Sequence, residues 1–240
     1  MDEEEFIHRL ERFWATHENN YFGHYRDFRT ELNNWRAGGP NAPQTVNVAT
    51  RLFDTLTWWR MDRRKAPFSG VADNDRPNAI AGLTQALAQH QQTLQQINDG
   101  PSAYADPQDF AELGAAVVQA LFGVLANNAV GATTVRFTFP SQAMMLLTGR
   151  CISLSRPVRE GLRHVDDNLR LAANRLYNRS LPLHDAQTLQ EHMGNLLSFS
   201  QQVIAAMPVP PVNRLPRGWR GVEPARLCDC VLHDLGRNGP

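Results

Sequence analysis

The stretch DPQDFAELGAAVVQALFGVLAN, residues 106–127, decides the fold class. Phe110, Leu113, Val117, Leu121 and Val124 recur every three or four positions, the spacing of one helix face. Alanine, valine and phenylalanine fill most of the remaining positions. The helix predicted here is therefore apolar on most sides, which marks the central buried element of a helical protein.

Working outward towards the N-terminus, the same spacing returns. Phe6, Leu10 and Phe13 mark a first helix, with Glu3, Glu4 and Glu5 at its electropositive start. Tyr21, Tyr25, Phe28, Leu32 and Trp35 form an aromatic second stripe that ends at Gly38-Gly39-Pro40. A third helix is expected from Thr45 to about Arg63. Residues 67–77 read as a polar loop, and 78–97 as a Gln- and Ala-rich helix. Towards the C-terminus, residues 133–139 alternate and are β-branched, the one short strand expected, cut off by Pro140. Residues 141–147 return to helix. Val158, Leu162, Val165, Leu169, Ala172 and Leu176 predict one helix over 156–177, and another covers 184–207. Residues 208–216 are Pro-rich and extended, and a last helix runs over 223–235. The expectation is a mainly α, multi-helix bundle of about nine helices. It is organised as an N-terminal half, 1–100, and a C-terminal half, 106–240, with a connector at 208–222, or as one continuous domain.

Composition narrows the classes. The chain has 240 residues, 42% hydrophobic and 20% charged, enough apolar material for a core and too much for a disordered protein. No apolar run reaches the roughly 18–20 residues of a membrane span. The acidic start Asp2-Glu3-Glu4-Glu5 is unlike a signal peptide. Three cysteines, Cys151, Cys228 and Cys230, do not suit a disulfide framework and fit a reducing compartment. A cytoplasmic protein is expected. Lys plus Arg and Asp plus Glu are both 24, so no global charge draws the chain to nucleic acid. The distribution is uneven: residues 1–35 carry eight acids and four arginines, residues 150–240 twelve arginines and eight acids. Lys65 is the single lysine, a bias that suits a GC-rich bacterial genome and also favours bidentate phosphate contacts.

Few patterns carry chemistry. Cys228, Cys230 and His233 form a C-x-C-x-x-H cluster that Cys151 or His184 would have to complete. Helix positions two apart point in different directions, so the two cysteines converge poorly and no metal is expected. Glu5-x-x-His8 has the spacing of di-metal bundles but no second copy. Arg179 and His184 have the R-x4-H spacing of helical ribonucleases, with the helix breaker Pro182 between them. His164 with Asp166 and Asp167 reads as a solvated face. Neither a nucleophile elbow nor a phosphate-binding glycine loop occurs, so no catalytic residue and no cofactor is assigned.

Two basic features point to a polyanion. At about 100° per residue, Arg156, Arg159, Arg163 and Arg170 fall within a stripe about 60° wide on the predicted 156–177 helix, with Arg175 off it. Arg214, Arg217, Trp219 and Arg220 lie in the Pro-rich connector, where guanidinia suit phosphates and an exposed indole suits a base, and which equally reads as a loop pinned onto the domain through Trp219. These eight residues are the candidate nucleic-acid contacts. The run Trp58-Trp59-Arg60-Met61-Asp62-Arg63-Arg64-Lys65 reads more simply as cations at a helix C-terminus.

Residues 139–147, FPSQAMMLL, lead to CISLS at 151–155 and PVREGL at 157–162. This run resembles the S-K-x-L-H-F-L … P-I-x-D-S-x-V core of uncharacterised bacterial helical proteins distantly similar to helix-hairpin-helix DNA glycosylases. Residues 225–237, ARLCDCVLHDLGR, are similar to the closing L-R-x-x-D-M-x-L-W-x-Y-G-K helix of those proteins. Gln142 stands where that family has a base and Ser155 where it has an acid. Residues 128–133 echo the hairpin, with no lysine following to act as a Schiff-base nucleophile. The resemblance implies the helical scaffold and an association with DNA, and no catalytic residue is carried over. The reading of the residues themselves favours a non-enzymatic partner-binding or structural protein of the bacterial cytoplasm. A DNA-associated protein is the alternative, and no membrane is involved.

Overall fold

A computed structural model describes residues 1–17, 22–38, 41–59, 75–99, 106–128 and 134–239. Among them the chain is mainly α. The helices are α1 (Glu3–His17), α2 (Gly23–Ala37), α3 (Ala42–Trp58), α4 (Asp75–Gln89), α5 (Gln91–Asp99) and α6 (Pro107–Asn128). After them come α7 (Thr138–Thr148), α8 (Arg156–Gly161), α9 (Asp167–Asn178), α10 (Ala186–Ala206) and α11 (Pro224–Asn238). Single 3₁₀ turns occupy Leu162–His164 and Arg217–Trp219. The strand expected over 133–139 forms only as β1 (Thr134–Arg136), because Thr138, Phe139 and Pro140 open α7. It pairs antiparallel with β2 (Ser180–Pro182), a segment whose sequence gave no strand signal, Val135 lying opposite Leu181.

Helix starts follow capping chemistry. The Asn41 side chain accepts from the Gln44 N–H with Pro43 in the first turn of α3, and Asp185 accepts from the Thr188 N–H at α10. The same chemistry overturns the single helix expected over 156–177. Asp166 is extended, and its carboxylate takes the Asn168 N–H, so a new helix is capped there. The first helix therefore ends at Gly161 and α9 starts at Asp167. Likewise the expected 78–97 helix is interrupted at His90 into α4 and α5, and Asp75–Pro77, expected in a loop, open α4. The polar loop, the cations at 60–65, the half-to-half boundary at 100–105 and the hairpin echo at 129–133 lie outside the described residues.

As expected, α6 is central. Phe110, Leu113 and Val117 are fully buried, Leu121 nearly so, and the helix packs on α4, α5, α7 and α10. One continuous cluster of buried side chains runs from Phe6 of α1 to Leu235 of α11. The tightest helix pair is α8 on α11. A β-carbon on Gly161 would stand 2.0 Å from the Leu232 carbonyl oxygen, and one on Gly236 1.8 Å from that of Pro157. The two backbones touch, which only glycine permits. Among the described residues no helix is long and apolar enough to cross a membrane.

Candidate functional site

The helix break scatters the predicted arginine stripe. Arg159 is half-buried. Its Nε donates to the Leu154 carbonyl, its Nη1 to Asn174 Oδ1 at 2.6 Å, and its guanidinium lies 3.7 Å from the Tyr177 ring centre. It clamps α8 onto α9 and is not a surface cation. Arg170 pairs with Asp167 one turn back at 2.7 Å. Arg163 is exposed and donates to the His164 ring, and Arg156 is exposed with no hydrogen bond or ion pair among the described residues. Asp166 and Asp167 are exposed, as expected of a solvated face, and serve a helix cap and an ion pair.

In the connector Trp219 takes the pinning role of its two expected readings, and the exposed stacking indole is not formed. Trp219 is 2% exposed, with ring centres of Phe22, Trp14 and Phe13 at 4.5, 5.6 and 6.4 Å. Burying the large indole outweighs any gain from displaying it, so Trp219 and Leu215 pin the connector to α1 and cannot offer a stacking face. Arg214, Arg217 and Arg220 are exposed. Arg214 pairs with Glu3 of α1, Arg220 Nε donates to the Leu215 carbonyl, and Arg217 has no hydrogen bond or ion pair among the described residues.

The chemistry-bearing residues of α11 turn inward. Arg226 is 3% exposed. Its Nη1 donates to Asp229 Oδ2 at 2.6 Å, and its guanidinium is ringed by Tyr25, Trp59 and Phe13, with centres 5.0, 5.4 and 5.7 Å away. Such a cage replaces hydration with ring quadrupoles. Burial raises the Asp229 carboxyl above its usual range, against the pull of Arg226 and Ser153. The other Asp229 oxygen accepts the Ser153 N–H at 2.8 Å, while Ser200 and Ser141 hydroxyls accept the N–H groups of Ile152 and Leu154. The buried 151–155 loop, which cannot pair as a ladder, thus has three consecutive N–H groups met by side chains. The two stretches of the family resemblance meet at this point. Beside it, Glu223 accepts from Tyr25 and Arg29. Arg29 donates to the Leu146 and Leu147 carbonyls and Arg150 to that of Ile97, closing the C-terminal ends of α7 and α5. An i,i+3 Arg-Asp pair among apolar residues at 225–232 was the sequence signal for this network.

Cys228 and Cys230 are fully buried, and burial pushes the Cys230 thiol up to about 12. His233 packs edge-on against Phe13 and His17, with ring centres at 5.5 and 5.2 Å, and burial holds it at about 3. Glu5 is hydrogen-bonded to Arg9, and β2 stands between Arg179 and His184. Among the described residues no group of three His, Cys, Asp or Glu side chains gathers to hold a metal ion.

The surface singles out a residue that the sequence reading noted only as part of a basic helix end. Of five tryptophans, Trp35, Trp59 and Trp219 are buried and Trp14 is packed against the core, while Trp58 on α3 is 51% exposed and stacks at 4.5 Å on His24 of α2. Comparison with family models, curated proteins and solved structures finds no match to this chain.

Proposed function

We propose that this is a non-enzymatic helical protein of the bacterial cytoplasm whose role is to hold a protein partner. The observation that carries the reading is the Trp58–His24 stack, a large amphipathic ring left half in solvent while the other tryptophans are covered. Tryptophan is the residue type most enriched among energetic hot spots of interfaces, and an exposed one costs water contact unless a partner covers it. Consistent with such a role, Arg226, Asp229, Asp234 and the three thiols are held in the core. The test compares crosslinked partners of the wild type and Trp58→Ala in extract of the native host. A protein retained by the wild type and lost by the variant, with unchanged melting temperature, supports the reading. Identical partners for both would overturn it.

A second reading, a DNA-associated protein on a glycosylase-like scaffold, rests on Arg156 and Arg217, exposed and unpaired among the described residues, with Arg163, near Arg156 in sequence, also exposed. Three such phosphate contacts would give a log–log salt slope near −2.7, at about 0.9 per phosphate. Fluorescence anisotropy with labelled duplex DNA across a salt series reads it, and no binding at low salt removes it.

A further inference from the structure

Between α9 and α10 the surface holds a cavity of about 230 Å³. Leu176 and Phe199 form its floor, and Arg179, Asn195, Ser198 and Gln202 its rim. The volume lies below the roughly 300–1,000 Å³ of pockets for drug-sized ligands, so it suits a smaller occupant. Arg179 arrives there because α9 ends at Asn178 and the chain turns extended at Arg179 on its way into β2.

The lining fixes the chemistry of the occupant. Arg179 is the one charged residue among those that line the cavity, and it has no ion pair among the described residues. Its charge reaches across to α10, where burial first and Arg179 second hold the His192 imidazole below its usual range, against the opposing Glu191. The other rim groups are two amides and a hydroxyl, neutral and able both to donate and to accept.

From this arrangement we propose that the cavity binds a small amphiphilic carboxylate. Its apolar chain or ring lies on Leu176 and Phe199, and its carboxylate takes the planar fork of Arg179, whose geometry matches a carboxylate bidentately. A single guanidinium with neutral neighbours balances one negative charge, which favours a monoanion over a phosphate dianion. The site shares no residue with the Trp58 surface, so the two stand or fall separately.

Sodium octanoate is the probe, with neutral octanamide as control, each titrated into the full-length protein and followed by calorimetry and amide chemical shifts. The expected result is saturable one-to-one binding of octanoate, at least tenfold tighter than octanamide, with shifts confined to α9 and α10. Arg179→Gln should abolish the tenfold preference while leaving octanamide binding unchanged. Ser198→Trp, which fills the cavity from an exposed position, should remove both ligands without lowering the melting temperature. Equal affinity for the two probes, shifts elsewhere in the molecule, or no saturable octanoate binding at millimolar concentration would overturn the proposal. So would a change of oligomeric state in Ser198→Trp, because the groove would then be a contact between copies.

Discussion

Removing the indole of Trp219 takes core volume from between Phe13, Trp14 and Phe22 and frees the connector from α1. Trp219→Ala should cost about 3–5 kcal/mol in urea unfolding, where a merely displayed indole would cost almost nothing. His233 gives a second prediction. Its imidazole titrates near 3 when folded because burial disfavours the cation, against about 6.5 when unfolded. Between those values the unfolded chain binds the extra proton. The contribution of His233 is therefore fully present above pH 6.5 and is lost on acidification at up to about 1.4 kcal/mol per pH unit. His233→Phe should flatten the fall in stability between pH 6.5 and 4, read as the difference between the two unfolding curves. An unchanged slope would mean that water reaches the ring. Asp234 acts lower. Burial opposes its charge, but hydrogen bonds from Arg12, Asn238 and Arg9 outweigh this and hold it below the usual carboxylate range, so its contribution is lost only in stronger acid.

At the scale of elements, the α8–α11 contact is the least tolerant place in the molecule. Gly161→Ala or Gly236→Ala drives a methyl into a backbone carbonyl that has no rotamer to escape with, so each should cost several kcal/mol or prevent folding. Gly194→Ala on α10 is the control. Its methyl meets nothing, and the gain in helix propensity should stabilise by about 0.5–1 kcal/mol. Apolar periodicity made the helices themselves legible, α6 above all, since Phe110, Leu113 and Val117 had only one face arrangement that buried them. The breaks were hidden because Val165 and Leu169 kept the apolar spacing across Asp166, while a single capping carboxylate ended the helix. The candidate surface was legible only in part. Arginine spacing marked charge, but whether a guanidinium faces water or clamps Tyr177 depends on residues distant in sequence, as does the burial of Trp219.

Across the whole molecule, α1 packs on α11 and the buried cluster draws on helices before and after residue 100. Unfolding by urea should therefore be one transition, with tryptophan fluorescence and far-UV circular dichroism giving the same midpoint. Two separated midpoints would show that residues 1–100 and 106–240 are independent units. The sequence placed its negative excess at one end and its positive excess at the other. Folding lays them together through Glu3 with Arg214, and the minority charges of the two ends pair as well, Arg9 and Arg12 with Asp234.

That union of first helix and last also sets an order of birth. Arg9 closes on Asp234 at 3.1 Å and on the Gly239 carbonyl at 2.8 Å, so α1 leaves the ribosome ahead of its neighbour and finds it only when residues 224–239 have followed. At roughly 5–20 residues per second, that wait lasts between about 10 and 50 s. Throughout it the Phe6, Leu10 and Phe13 face of α1 lacks the helix that will cover it. Any transcript cut short before α11 would release a chain with that sticky face uncovered, the kind of surface that chaperones and proteases recognise. A copy that stops before α11 therefore differs from a finished one in the face that α1 leaves open to such recognition.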